Sequence, residues 1–321
     1  WIVVANSWQQ TPAGHHLVAE GGRVRAEITD FWEMVFNPSS VDRLVHTLLG
    51  AWLAGAFLVL SVSAFYLLRG RHRQGAVPAL KLGLVLAAAA SLFQLASGDS
   101  SARVVAEHQP AKLAAMEGQF ETRPHAPLHL FGWVREDRRQ VVGPAIPSAL
   151  SILTHRDPKR EVTGLDAFAP ADRPPVQATF QMFHLMVAAG LAILVLSWLG
   201  VYLWWRGRLF DTSRRATRVY LRTLVVAVVL PQIANQAGWF TAEIGRQPWV
   251  VYNLLRTSDG LSKVVAREHV VFSMILLSAI YLLLFVLFVF LLDRKIRHGI
   301  EEDASAEISA KRLLPEEDAA P

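Results

Sequence analysis

Five stretches of the chain, residues 45–68, 80–96, 180–205, 219–240 and 269–292, are each long and apolar enough to cross a bilayer core as a helix. A soluble helical bundle would break such runs with a charged face. With 52% hydrophobic and 18% charged residues and a mean hydropathy of +0.30, the chain carries more apolar surface than one aqueous core can take up. The expected fold class is all-α, a polytopic transmembrane helix bundle. Residues 1–5 read as the last turns of one more helix, with no initiator Met, no basic leader and no cleavage site, so the chain reads as a fragment.

Basic residues give the orientation. Arg69, Arg71, Arg73 and Lys81 flank one short turn, Arg206, Arg208, Arg214, Arg215, Arg218 and Arg222 flank another, and Arg294, Lys295 and Arg297 follow the last span. These three ends are expected in the cytoplasm. The pI of 9.7 is then a matter of topology, and nucleic acid is excluded as a partner because the arginines hug helix ends.

The expected division is a helix end plus outer loop (1–43), two spans (44–97), a long outer loop (98–179), two spans (180–240), a second outer loop (241–268), the last span (269–293) and a cytoplasmic tail (294–321). The acidic end of that tail, 301–321, reads as solvated and mobile. No cysteine is present, so any metal centre must use His, Met or carboxylate ligands.

Few chemical groups lie within the spans. His46 begins one outward-starting span and Met186 stands about two turns into another, which sets them at similar depth. A helix N-terminus disfavours extra positive charge, so His46 is read as neutral, with a lone pair for a metal. Neutral imidazole plus thioether is a recurring axial pair for haem. Taken singly, each also reads as an ordinary interfacial histidine or packing methionine, and His184 falls under the same reading.

The run Gly238-Trp239-Phe240-Thr241-Ala242-Glu243-Ile244-Gly245-Arg246-Gln247-Pro248-Trp249 places a carboxylate at the negative end of an apolar helix. The macrodipole repels it there, so it needs a cation nearby. An ion pair with Arg246 and ligation of a metal or haem both meet that need. In the long outer loop, Leu113, Met116 and Phe120 have helical spacing, which predicts a short amphipathic helix over 111–121 lying near the membrane surface. Lys112 and Glu117 then sit on a solvated face, or form a quinol site in which the carboxylate takes a proton and the lysine holds the other oxygen.

Four segments carry a resemblance: Ala5-Asn6-Ser7-Trp8-Gln9-Gln10-Thr11-Pro12, Val45-His46-Thr47, Lys112-Leu113-Ala114-Ala115-Met116-Glu117, and Gly245-Arg246-Gln247-Pro248-Trp249. Together they resemble subunit I of the cytochrome bd quinol oxidases, in family order over nearly the whole chain. The resemblance implies that His46 and Met186 ligate a low-spin haem b and Glu243 a high-spin haem b. It also makes Lys112 and Glu117 residues of a periplasmic quinol loop, and Trp239, Arg246 and Trp249 part of the motif around the haems. Dioxygen would be reduced at haem d, or at a haem b in its place, with subunit II as partner in the bacterial cytoplasmic (inner) membrane.

Two departures from the family stand out. Its members carry about four helices before the point where this chain starts, including a haem-ligating His, so the resemblance implies an N-terminal truncation. His184 stands where some relatives carry Arg. The outer loop lacks an extension found in some relatives, which is similar to the short-loop, cyanide-insensitive branch. Two further readings of the residues are a membrane haem b electron carrier without oxygen reduction and a non-catalytic scaffold subunit.

Overall fold

The structure, a computed structural model, describes residues 2–20, 23–262 and 264–299. The acidic tail 301–321 and Trp1 lie outside the described residues. Helix α1 (Ile2–Gln10) is followed by a hairpin of β1 (His15–Glu20) and β2 (Arg23–Ile28), the short α2 (Phe31–Val35), and the long α3 (Ser40–Arg69) and α4 (Arg73–His108). Next come α5 (Pro110–Glu117), β3 (Leu128–His129), β4 (Trp133–Arg135), β5 (Gln140–Val142), β6 (Ala145–Ile146) and α6 (Ala149–His155). Helices α7 (Val176–Trp205), α8 (Arg215–Ala227) and α9 (Val229–Ile244), the strands β7 (Trp249–Val251) and β8 (Leu255–Arg256), and α10 (Arg267–His298) complete the order. The strands form four antiparallel two-stranded ladders in the connections, β3 pairing with β6 and β4 with β5 in the long loop. The architecture is a helical membrane bundle.

Helices α3, α4, α7 and α10 are long and apolar enough to cross a membrane, and α8 and α9, bent by 40°, are so when taken as a pair. The bend has a local cause. Pro231 has no N–H to donate to the carbonyl four residues back, and its ring crowds that carbonyl; the residue is Ala227, where α8 ends. The apolar run 219–240 therefore contains two helices.

Phe57 and Leu60 of α3, Leu80 and Leu84 of α4, and Leu221 and Leu224 of α8 are wholly buried in one cluster, joined by Ile193 of α7. Lipid offers no gain from expelling water between helices, so close packing and interhelical hydrogen bonds hold them. Ser61 Oγ donates to Val225 O at 2.8 Å and Tyr220 Oη to Leu196 O at 3.0 Å. Helix α10 differs, being apolar on every side and exposed along its length. Its C-terminal end is tied to the bundle by Tyr66 Oη, which donates to Ile296 O at 2.8 Å.

The basic termini gather at one end of the bundle. Arg73 Nη2 donates to Phe210 O at 3.1 Å, and Lys81 Nζ lies 5.6 Å and 5.5 Å from the rings of Trp204 and Phe210. This links the α3–α4 turn to the α7–α8 turn, and Tyr66 links it to the end of α10. The opposite end carries α1, the long loop and the β7–β8 hairpin.

Candidate functional site

Helix α5 is a main departure from expectation. It stops at Glu117, because Gly118 adopts the left-handed conformation (φ +64°) that caps a helix. It is also buried on every side, with Ala111 through Glu117 all inaccessible. Amphipathic spacing suggested a surface helix, but the long loop folds over α5 and its β ladders and α6 supply a second wall. Lys112 and Glu117 retain 4% and 1% exposure. Five residues apart, they point about 140° from each other around the helix.

Lys112 joins a polar cluster at the end of α9. Its Nζ donates to Gln10 Oε1 and, at 2.7 Å, to Gln109 Oε1, and its stem lies under Gly245, where an added Cβ would come within 2.9 Å of Lys112 Cγ. Glu243 Oε2 accepts from Arg246 Nη2 at 2.6 Å, and Glu243 Oε1 accepts from Asn6 Nδ2 at 3.0 Å. Asn6 Oδ1 accepts from Arg43 Nη2 at 2.6 Å, and Arg246 Nη1 donates to Gln9 Oε1 at 3.2 Å. The Glu243–Arg246 ion pair is thus present, and α1 supplies the glutamines and asparagine that surround it.

Three cations, Arg43, Lys112 and Arg246, surround this one carboxylate. Asp42, which accepts from Ser101 Oγ at 2.5 Å, is a further carboxylate acting on Arg43. Arg43 Nη1 and Arg246 Nε are buried with no hydrogen-bond partner among the described residues. Unpaired guanidinium N–H groups in such a place call for anionic acceptors. Burial, reinforced by Arg43 and Arg246, holds the Lys112 amine well below the usual lysine range. Burial also lowers Arg246, with Glu243 opposing the shift.

Glu117 faces different surroundings. Its carboxyl is pushed up to about 8 by burial, and its Oε2 has no partner among the described residues. The adjoining Gly118 packs against Val141 and Phe180.

Helix α3 begins five residues before the apolar run, which puts His46 in the second turn, where the helix dipole acts weakly. Its hydrogen bonds define the ring instead. Gln94 Nε2 lies 2.9 Å from His46 Nε2 and Ser97 Oγ lies 3.1 Å from His46 Nδ1. An amide N–H can only donate, so in this assignment Nε2 presents its lone pair and Nδ1 carries the proton, directed at Ser97. That is the tautomer of an Nε2-ligating imidazole, and here the Nε2 lone pair accepts from Gln94, whose place iron would take.

Met186 packs on α9, where a Cβ added at Gly238 would lie 2.9 Å from its sulfur. One turn earlier on α9, Asn235 Nδ2 donates to Gly50 O of α3 at 3.4 Å. Helix α9 therefore touches both the His46 helix and the Met186 helix. His184 stacks on Phe180, with centroids 3.9 Å apart, and its nitrogens lie 2.9 Å from the carbonyls of Phe180 and His129.

Trp249 lies under the Arg256 guanidinium, 4.6 Å from its centroid, and Arg256 in turn pairs with Asp172. Trp239 is 43% exposed on α9 and makes none of the cluster's hydrogen bonds. Sequence reasoning missed Arg43, Gln94 and Ser97, and quoted Asn6, Gln9 and Gln10 in a family segment without giving them a role. Gln94, Ser97 and Ser101 had a signal, being polar residues three and four apart on one face of an apolar helix. The remainder meet the site across distances in sequence that no local pattern spans.

Four long apolar helices and the bent α8–α9 pair, with an ion cluster at one end, define a multi-pass membrane protein. The chain belongs to the cytochrome bd terminal oxidase subunit I family, whose profile matches residues 1–300. It is 31% identical to the cytochrome bd-II ubiquinol oxidase subunit 1 of Escherichia coli (strain K12), over 93% of this chain and 70% of that protein. Identity to the cytochrome bd ubiquinol oxidase subunit 1 of Bacillus subtilis (strain 168) is 33%, over 94% of this chain and 65% of that protein. The solved bd oxidase from Geobacillus thermodenitrificans superposes with a TM-score of 0.81 at 33% identity, covering 93% of this chain and 66% of that one. The chain thus spans about two thirds of the length of these relatives.

Proposed function

We propose that the complete protein is a terminal quinol oxidase subunit of the bacterial cytoplasmic membrane, working with subunit II. It oxidises a membrane quinol at the outer face, opposite the basic helix ends, and electrons pass through haems to dioxygen, which is reduced to water. Protons released outside and consumed from the cytoplasm contribute to the proton motive force. The observation that carries this reading is the burial of Lys112 and Glu117, with Lys112 packed under the Gly-Arg-Gln-Pro-Trp turn beside Glu243 and Arg246. A solvated loop helix has no reason to bury both charges.

Haem, when bound, supplies one-electron chemistry through ferric and ferrous iron. His46 and Met186 would hold the low-spin haem b and Glu243 the high-spin haem b, while Trp239, Arg246 and Trp249 line their surroundings. The donor set fits. His46 carries its lone pair on Nε2, where iron would replace Gln94 as its partner, the Met186 thioether has the space that Gly238 leaves, and the unpaired N–H groups of Arg43 and Arg246 suit propionate carboxylates. Whether the third haem is haem d or a haem b rests on the family alone.

Lys112 is placed to donate a hydrogen bond to a quinol oxygen, and Glu117 to accept a proton. A carboxyl raised to about 8 is protonated below that pH, so its capacity as a base grows as pH rises through 8. Quinol turnover should therefore climb between pH 7 and 9, and Glu117→Gln should lower turnover and flatten the climb while sparing the haem spectra. Steady-state oxidation across that range checks this, and an unchanged profile in the variant would remove Glu117 from the reaction.

A second expectation concerns Gly238. In Gly238→Leu the new side chain must displace the Met186 sulfur, since even a Cβ would sit 2.9 Å from it. The low-spin haem should turn high-spin, whereas Gly55→Leu, on an open helix face, should leave the spectrum unchanged.

A further inference from the structure

Two buried polar atoms without a partner among the described residues belong to neighbouring segments, Glu117 Oε2 at the end of α5 and His129 Nδ1 on β3. We infer that His129 is a proton acceptor for the quinol in its own right, using Nδ1 alongside the Glu117 carboxylate. The inference rests on the reading of α5 as a wall of the quinol site.

The histidine is held rigidly. Its backbone pairs with Ala145 in the β3–β6 ladder, and its carbonyl lies 2.9 Å from His184 Nε2. Its ring meets Phe180 edge-on with centroids 6.5 Å apart, and Phe180 also packs against Gly118, next to Glu117. The main chain of Glu117 acts on the His129 ring in the sense of a hydrogen bond that favours a protonated nitrogen. Nδ1 is buried with no hydrogen-bond partner among the described residues, so in the tautomer with its proton on Nε2 it offers an unused lone pair.

Burial is the main opponent of a positive charge on the ring, and the titratable and charged groups facing it, His184 on α7 and Arg123 in the loop after α5, act in the same direction. His129 is therefore neutral and ready at pH 7, where Glu117 still holds its proton. Quinol oxidation breaks two O–H bonds and releases two electrons. One proton forms an N–H bond at His129 Nδ1, and the other forms an O–H bond on the Glu117 carboxylate after the Glu117 carboxyl has given its own proton to water at the outer face. The ring leaves as quinone, and haem, when bound, would be the one-electron oxidant that takes the two electrons in turn.

The test uses the complete oxidase with His129→Gln and His129→Phe, one polar and one aromatic, neither basic. Both should lower kcat at pH 7 by about a hundredfold, the size of a lost general base, while KM stays near native. They should also abolish the fall in kcat on the acid side of neutrality, where the native imidazole becomes protonated. Native kcat with an intact acid limb in either variant overturns the proposal. If Glu117→Gln slows turnover and neither His129 variant does, only this proposal fails. If all three are silent, the quinol site itself lies elsewhere.

Discussion

Replacing His46 with alanine in the complete protein should abolish the low-spin haem absorbance and quinol oxidation together. The two losses are tied because an imidazole that supplies an axial bond also sets where electrons first arrive. Ser97 and Gln94 fix the ring so that Nε2 presents its lone pair, and alanine leaves them facing each other across a gap with no donor for iron. Neither can substitute, since a hydroxyl and an amide are weak ligands for haem iron beside imidazole. Reduced-minus-oxidised spectra of purified protein check the band, and quinol-driven oxygen uptake checks the flux. If both persist, His46 is an ordinary interhelical hydrogen-bonding residue. The carrier and scaffold readings separate here too, since a carrier would lose its band with no oxygen uptake to lose, and a scaffold would have no band at the outset.

The second large effect is at Glu243. Its carboxylate is the partner of Arg246, receives Asn6, and acts on Arg43 and Lys112. Glu243→Ala leaves Arg246 without its partner, and because the carboxylate is 28% exposed the loss should fall below the ~3–5 kcal/mol of a fully buried pair. Glu243→Gln keeps an oxygen for Arg246 and an amide in place of the carboxylate, so it should lose less stability. Both variants should lose the high-spin haem, because neither alanine nor a neutral amide replaces an anionic oxygen ligand. Thermal unfolding and haem content of the two variants, compared side by side, check this. Full haem content in Glu243→Gln would limit Glu243 to the ion pair with Arg246.

The spans were legible because a bilayer demands continuous apolar length, a signal that survives without any knowledge of packing. The bend at Pro231 was legible in principle, since the missing N–H acts at a fixed distance along the chain. Helix α5 was legible as a helix, with Pro110 at its start and Gly118 at its end, yet not as a buried one. Its alanines and flanking charges give the same periodicity whether water or another segment covers the charged side. What covers them comes from Gln10, about a hundred residues earlier, and from the loop ladders that follow. His46 and Glu243 stood out because polar groups in an apolar run are few, whereas Arg43 was hidden among ordinary helix-end arginines. His129 gave no signal, because a histidine in a polar loop is unremarkable until its ring nitrogen is seen to be buried and unpaired.

If the buried residues of α5 handle quinol beside the haem motif, anaerobic reduction of the haems isolates that step from oxygen chemistry. Oxidised complete protein carrying Glu117→Gln is mixed with quinol in one experiment and with dithionite in another. The predicted result is haem reduction by quinol slowed by about tenfold or more, the range expected for a lost proton acceptor, with reduction by dithionite reaching the native extent. Native-rate reduction by quinol would contradict it.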